Sequence, residues 1–209
     1  MLNTNRLLLF LITISLWEIA VRPLLFTIEP ADAQSVTRQN PKDPAAQSPK
    51  DNEELKRLGD EDQADRSPAE GKSIDWTIVS PRDKVRLKRV KELYAQNLLR
   101  TANDYDSAAI ILQHSDVAED FLLAHEFWVV AIIKGKNDPE TRSLVAASED
   151  RFLMNIGRPQ RFGTQFRSVD NGPIQLYPVG PGVTDELRRL MGVHTLAEIK
   201  AHEAEVNRK

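Results

Sequence analysis

Residues 117–134, VAEDFLLAHEFWVVAIIK, decide how this chain folds. Phe121, His125, Trp128 and Ile132 fall on one helical stripe, and Leu122, Val129 and Ile133 on the next. A helix apolar over so much of its circumference is normally the buried centre of its domain. The elements on either side should pack around it. Asp138-Pro139-Glu140 supplies a cap, a proline at the first helical position and a first-turn acid, so a helix is expected to about Ile156, stopped by Gly157 and Pro159. Ser80-Pro81-Arg82-Asp83 repeats that logic and predicts a helix to about Arg100 that buries Leu87, Val90, Tyr94, Asn97 and Leu98. Thr195-Leu196-Ala197-Glu198 is a capping box for a final helix. Shorter helices are expected over residues 52–66, 104–113 and 185–191. Only residues 164–179 alternate as a strand does. Their Asp170-Asn171-Gly172 centre predicts a hairpin. The expected fold class is mainly α (α-rich α+β), a helical domain around one buried central helix with a small C-terminal β-hairpin.

The first third of the chain has a different character. Arg6 precedes an apolar run at residues 7–17, and Ala31-Asp32-Ala33 before Gln34 fits a small-x-small cleavage site. Residues 1–33 therefore read as a signal peptide, which places the domain outside the cytoplasm, in the periplasm or secreted. The rival is an uncleaved anchor over residues 7–27. A bilayer span needs about 20 apolar residues, and this one would carry Glu18 and Arg22 in its middle, each costing roughly 2.5–3.5 kcal/mol near a helix centre. Residues 34–51 are rich in Pro, Ser, Asn, Gln and charge. Such a segment cannot bury enough apolar area to offset its backbone entropy, so it is expected to be a disordered spacer. Residues 52–209 form the single expected domain.

The 209-residue chain carries a formal net charge of −3 and no cysteine. Residues 1–33 contain two basic residues (Arg6, Arg22) and three acidic ones (Glu18, Glu29, Asp32), so without them the balance is −2. A near-neutral balance gives no global field to attract nucleic acid or anionic membrane. The absence of cysteine excludes disulfides, thiolate metal sites and a cysteine nucleophile. Arg82, Lys84, Arg86, Lys88, Arg89 and Lys91 make one helix strongly basic, but no aromatic residues interleave with them, so a solvated face is expected. There is no phosphate-binding Gly-rich loop with its lysine, no His-Glu-x-x-His and no Gly-x-Ser-x-Gly. The spacing of His114, His125, His194 and His202 suggests no metal set. No cofactor and no metal are expected.

Four polar segments remain. Asp62-Gln63 and Arg66 sit on the first helix, where Asp62 and Arg66 form an i,i+4 pair. Gln113-His114-Ser115-Asp116 ends one helix and begins the central one. There an imidazole can be oriented by a carboxylate and titrate near neutrality, or else cap its own helix. Arg151 shares the face of Leu144, so its permanent charge must pair or bind an anion, Asp150 being the obvious structural partner. Gln160, Thr164 and Gln165 lie in a turn-rich loop whose amides either read a ligand or satisfy the loop's own backbone.

Taken together, these segments resemble a bacterial domain-of-unknown-function family marked by an ordered motif set. That set is Asp-Gln-x-x-Arg, Gln-His-x-Asp, Asp-Arg and Pro-Gln-x-x-Gly-Thr-Gln. It is matched here at Asp62, Gln63 and Arg66; at Gln113, His114 and Asp116; at Asp150-Arg151; and at Pro159, Gln160, Gly163, Thr164 and Gln165. The resemblance covers roughly residues 53–167. Phe162 stands where the family usually carries a tyrosine. The resemblance implies a helical fold and no particular activity. Three functional readings follow. The first is a hydrolase or group transferase for a polar or anionic substrate, with His114 as acid/base, Asp62 or Asp116 as its orienter, and Arg66, Gln113, Arg151, Gln160, Thr164 and Gln165 as substrate-binding groups. The second is a non-catalytic module for a small polar ligand or an exported protein partner. The third is a buried polar network that fixes helix packing. Nucleic acid is not expected as a partner, and membrane only through an uncleaved signal.

Overall fold

The computed structural model describes residues 48–69, 72–168 and 172–208. The expected signal, most of the spacer and the Asp170-Asn171 turn lie outside the described residues. Among these, seven helices are present: α1 (Glu53–Asp65), α2 (Trp76–Ala95), α3 (Ala102–Leu112), α4 (Ala118–Ile133), α5 (Pro139–Asn155), α6 (Asp185–Leu190) and α7 (Leu196–Val206). Between α5 and α6, β1 (Phe166–Arg167) pairs antiparallel with β2 (Gln175–Leu176), Phe166 opposite Leu176. The fold is therefore mainly helical with a small C-terminal hairpin, whose paired part is far shorter than the alternating stretch 164–179.

The central helix is α4, packed between α3 and α5, with α1 and α2 against α3 and α7 against β2. Its buried face is Asp120, Phe121, Ala124, Phe127, Trp128 and Ala131. This corrects the second expected stripe: Leu122 and Ile133 are exposed. A helix with neighbours on two sides leaves its remaining arc to water. Trp128 is fully buried, and its indole N–H donates to Asp106 Oδ1 at 3.0 Å, which removes the cost of an unpaired buried donor. Phe127 takes Tyr94 and Tyr105 edge-on, with centroids 4.8 and 5.4 Å away.

Most helix boundaries follow the expected caps. The Asp138 carboxylate accepts from Thr141 N, and Thr195 and Glu198 complete their reciprocal box. Helix α5 is closed by Gly157, two residues past its end at φ +72°, where Arg158 N donates to Leu153 O. That six-to-one bond uses the left-handed backbone glycine adopts readily. Gly192 closes α6 in the same way, and a Cβ there would strike the Pro139 carbonyl. Helix α2 differs from expectation. It begins at Trp76 on an Asp75 cap, with Pro81 inside it rather than at its first position. It ends at Ala95, where Asn97 (φ +57°) serves as an exposed left-handed cap instead of a buried residue. Its buried face is accordingly Val79, Arg86, Val90 and Leu93.

Candidate functional site

The polar segments form two assemblies, joined at the C-terminal end of α3. The first lies where α1, α2 and that end meet. Asp62 is fully buried on α1 and accepts from Arg66 Nη1 at 2.9 Å and from Gln63 Nε2 at 3.0 Å. Arg66 continues to Asp83 as a fork, Nη1 to Oδ1 at 3.2 Å and Nη2 to Oδ2 at 2.7 Å. Arg86 donates from Nη2 to Asp83 at 2.7 Å and from Nη1 to Asp65 at 2.8 Å. The Arg66 guanidinium is thus committed to two carboxylates and is no free clamp for substrate charge.

Arg86 corrects the solvated-face expectation for α2. It is 4 % exposed, and its Nε has no hydrogen bond, with Asp62 Oδ1 3.7 Å away. Arg82 pairs with Asp65, Arg89 with Glu54 and Glu92, and Lys91 with Asp120. Much of the basic side of α2 is therefore answered by acids of α1, α2 and α4. Its arginines at 82, 86 and 89 sit at the spacing that faces one neighbouring helix, a signal present in the sequence.

Burial alone would raise the Asp83 carboxyl, but the bonds from Arg66 and Arg86 outweigh it and hold the group below its ordinary range. Asp65 is likewise pushed up by burial and drawn down further by Arg86 and Arg82. Groups held low in the folded state stabilise it above their unfolded values and lose that contribution as pH falls through the folded ones. Stability should therefore hold from neutral pH to about 4 and decline below it. Thermal melts between pH 7 and 2.5 check this, and a flat profile below pH 4 would contradict it.

On the other side of Asp62 stands His114. Its Nδ1 lies 3.0 Å from Asp62 Oδ2 and 3.2 Å from Oδ1. The ring therefore does not cap the carbonyls of its own helix. In the neutral ring, donating Nδ1–H to the carboxylate leaves Nε2 as the bare nitrogen. It has no protein hydrogen-bond partner among the described residues, and the side chain is 19 % exposed. His114 lines a cleft of about 290 Å³ with Arg66, Trp76, Ser80, Asp83 and Asp116, among others. Asp116 is exposed on that cleft, and the carboxylate that engages the ring is Asp62.

The second assembly is the loop 158–165. Asp150 and Arg151 do not pair with each other. The buried Asp150 carboxylate instead accepts from the backbone N–H groups of Arg161 (2.6 Å), Phe162 (3.0 Å), Gly163 (2.9 Å) and Thr164 (3.0 Å), and from Thr164 Oγ1 (2.9 Å). From the opposite side, buried Arg188 donates to the carbonyls of Phe162 (2.9 Å) and Arg161 (3.2 Å). One carboxylate and one guanidinium thus hold both edges of the loop backbone. Gly163, at φ +92°, lets the chain turn around the carboxylate.

Gln160 is fully buried and belongs to the same framework. Its Nε2 donates to Gln165 O and Tyr177 O, and its Oε1 accepts from Gln165 N. It presents no amide to a cleft, and the Thr164 hydroxyl is spent on Asp150 and Gln165. Gln165 donates to Ala147 O and accepts from Arg151 Nε at 3.2 Å. Arg151 Nη1 reaches Gln113 O at 2.8 Å. The two assemblies meet there, at Gln113 and His114. Of the eight expected site residues, Asp62, Arg66 and His114 come together directly, Gln113, Arg151 and Gln165 form a chain beside them, and Gln160 and Thr164 support the loop.

Among the described residues, no cluster of His, Asp and Glu could hold a metal ion, and no helix is long and apolar enough to cross a membrane. The fold and site define a helical domain with a buried carboxylate–imidazole pair on a cleft. Compared with protein-family models, curated proteins and solved structures, the chain finds no match.

Proposed function

We propose that this is an exported hydrolase or group transferase acting on a polar or anionic substrate, with His114 as acid/base and Asp62 as its orienter. One observation carries the reading: a fully buried carboxylate engages Nδ1 and leaves Nε2 unpartnered on a side chain that lines a cleft. In that arrangement Nε2 takes a proton from an attacking water or hydroxyl and returns it to the leaving group, while Nδ1–H stays on Asp62. Arg66, Arg86 and Gln63 hold Asp62 in place as positioning residues. Gln113, Arg151 and Gln165 form a hydrogen-bonded chain beside His114. We further propose that the four motifs are the signature of the bacterial family they resemble.

The test is a panel of nitrophenyl esters, phosphoesters and glycosides with wild type, His114→Ala and Asp62→Asn. Turnover of one class should fall at least about 100-fold in His114→Ala, the scale of general acid–base catalysis, with the melting temperature nearly unchanged. No turnover of any class by the wild type, together with a loss of several kcal/mol in His114→Ala, would favour a second reading. That reading is a ligand- or protein-binding module whose polar motifs are framework. What speaks for it is the internal saturation of Asp150, Gln160 and Thr164.

Export is part of the same proposal, resting on residues 1–33. Intact-mass analysis of protein produced in a bacterial host should find a chain beginning at Gln34 in the periplasm or medium. A mass that retains residues 1–33 would overturn cleavage.

A further inference from the structure

Among the described residues, the two buried arginines each have a carboxylate: Arg86 has Asp65 and Asp83, and Arg188 has Asp185. Half-buried Arg151 has none. Among the described residues no carboxylate stands within salt-bridge range of it, and burial alone depresses its proton affinity. Its guanidinium is nevertheless fixed on three sides. Nε donates to the Gln165 side-chain oxygen at 3.2 Å, Nη1 donates to the Gln113 carbonyl at 2.8 Å, and its carbon lies 5.8 Å from the centre of the Phe121 ring. All three are neutral groups. The C-terminal end of α3 adds at most about half a negative charge, so most of the positive charge is unanswered.

The remaining nitrogen, Nη2, makes no hydrogen bond within the described protein, yet it is not sealed from solvent. The half-buried side-chain amide of Gln113 also has no protein partner among the described residues. A guanidinium held rigidly by neutral acceptors with one open edge, partly desolvated, is built to receive a planar or tetrahedral oxyanion.

We propose that Arg151 seats an oxyanion, a carboxylate or phosphoryl group of the ligand, on Nη2 with Gln113 beside it. This deepens the reading of His114 as the working residue, which follows Gln113 directly in the chain. It assigns the substrate's charge to Arg151 rather than to Arg66, which already serves two carboxylates.

The experiment measures melting temperature against inorganic phosphate and, separately, acetate, with sodium chloride at matched ionic strength as baseline. Wild type, Arg151→Met, Arg151→Lys and His114→Ala are compared. At ten times the dissociation constant, wild type should gain about 3–5 °C with at least one anion. Arg151→Met should lose the gain, Arg151→Lys should keep a reduced one, and His114→Ala should keep it whole. Which anion acts tells a carboxylate ligand from a phosphoryl one. No gain in wild type with either anion overturns the proposal, as does an equal gain in Arg151→Met. If Arg151→Met does not fold, Arg151→Lys decides alone, and an undiminished gain there overturns it. A gain lost in His114→Ala but kept in Arg151→Met would seat the anion on the imidazole, leaving the acid–base reading intact and removing this one.

Discussion

Replacing Asp150 with alanine should cost the domain about 4 kcal/mol or more, a large part of the 5–15 kcal/mol that holds a native fold. The substitution removes one carboxylate and strands four backbone N–H groups and a hydroxyl that now converge on it. Each buried donor left unpaired costs about 1–3 kcal/mol. The N–H groups of Phe162 and Gly163 are in buried surroundings, and those of Arg161 and Thr164 are partly so, which means water can rescue only some of them. Rearrangement is also blocked from behind, because Arg188 holds the carbonyls of Arg161 and Phe162. Asp150→Asn should lose less, about 2–3 kcal/mol, since it keeps one accepting oxygen but turns an NH2 group toward other donors. Urea unfolding of the three proteins measures the differences. A loss below about 1 kcal/mol in Asp150→Ala would mean that the loop finds other acceptors, and that Asp150 is not what shapes it.

This loop also marks the limit of what the chain discloses before it is folded. Caps are local chemistry, so Asp138, Thr195 and Gly157 announced their helix ends correctly. The apolar span 117–134 announced the central helix because burial on two sides needs apolar residues on two sides. Ser80-Pro81 misled because the same residues are tolerated in the second turn of a helix already started at Trp76. Within the candidate site, the structure brings His114, Asp62 and Arg66 together, as their residue types and the i,i+4 spacing of Asp62 and Arg66 lead one to expect. The direction in which Asp150 and Arg151 point was not. Adjacent residues on a helix diverge by about 100°, so one serves the loop and the other reaches α3, and only the packed fold decides which. Arg188 carries no such signal, because an arginine in a short six-residue helix looks like any solvated one.

Arg86→Ala should destabilise the domain by about 3 kcal/mol at neutral pH, the cost of breaking a buried ion pair from one side. Arg86 is the second guanidinium on Asp83 and shares Asp65 with Arg82, so its loss leaves Asp62, Asp65 and Asp83 to Arg66 and Arg82. Three carboxylates would then face two cations in a partly desolvated space, and the least compensated of them would take up a proton more readily. Because Arg86 helps hold Asp65 and Asp83 low, its removal raises both. Wild-type stability that is present above about pH 4 and lost below it would therefore be missing from the variant already at neutral pH. The difference between the two proteins should accordingly shrink as pH falls from 7 to 3. Arg86→Met separates charge from packing, since it restores most of the buried stem without the guanidinium. If the charges matter as argued, methionine recovers only part of the loss, and the remainder disappears at pH 3. A penalty that methionine cures fully, or that stays constant with pH, would show that Arg86 contributes by filling space. In that event the position of Asp62, and with it the orientation of His114, would rest on Arg66 and Gln63 alone.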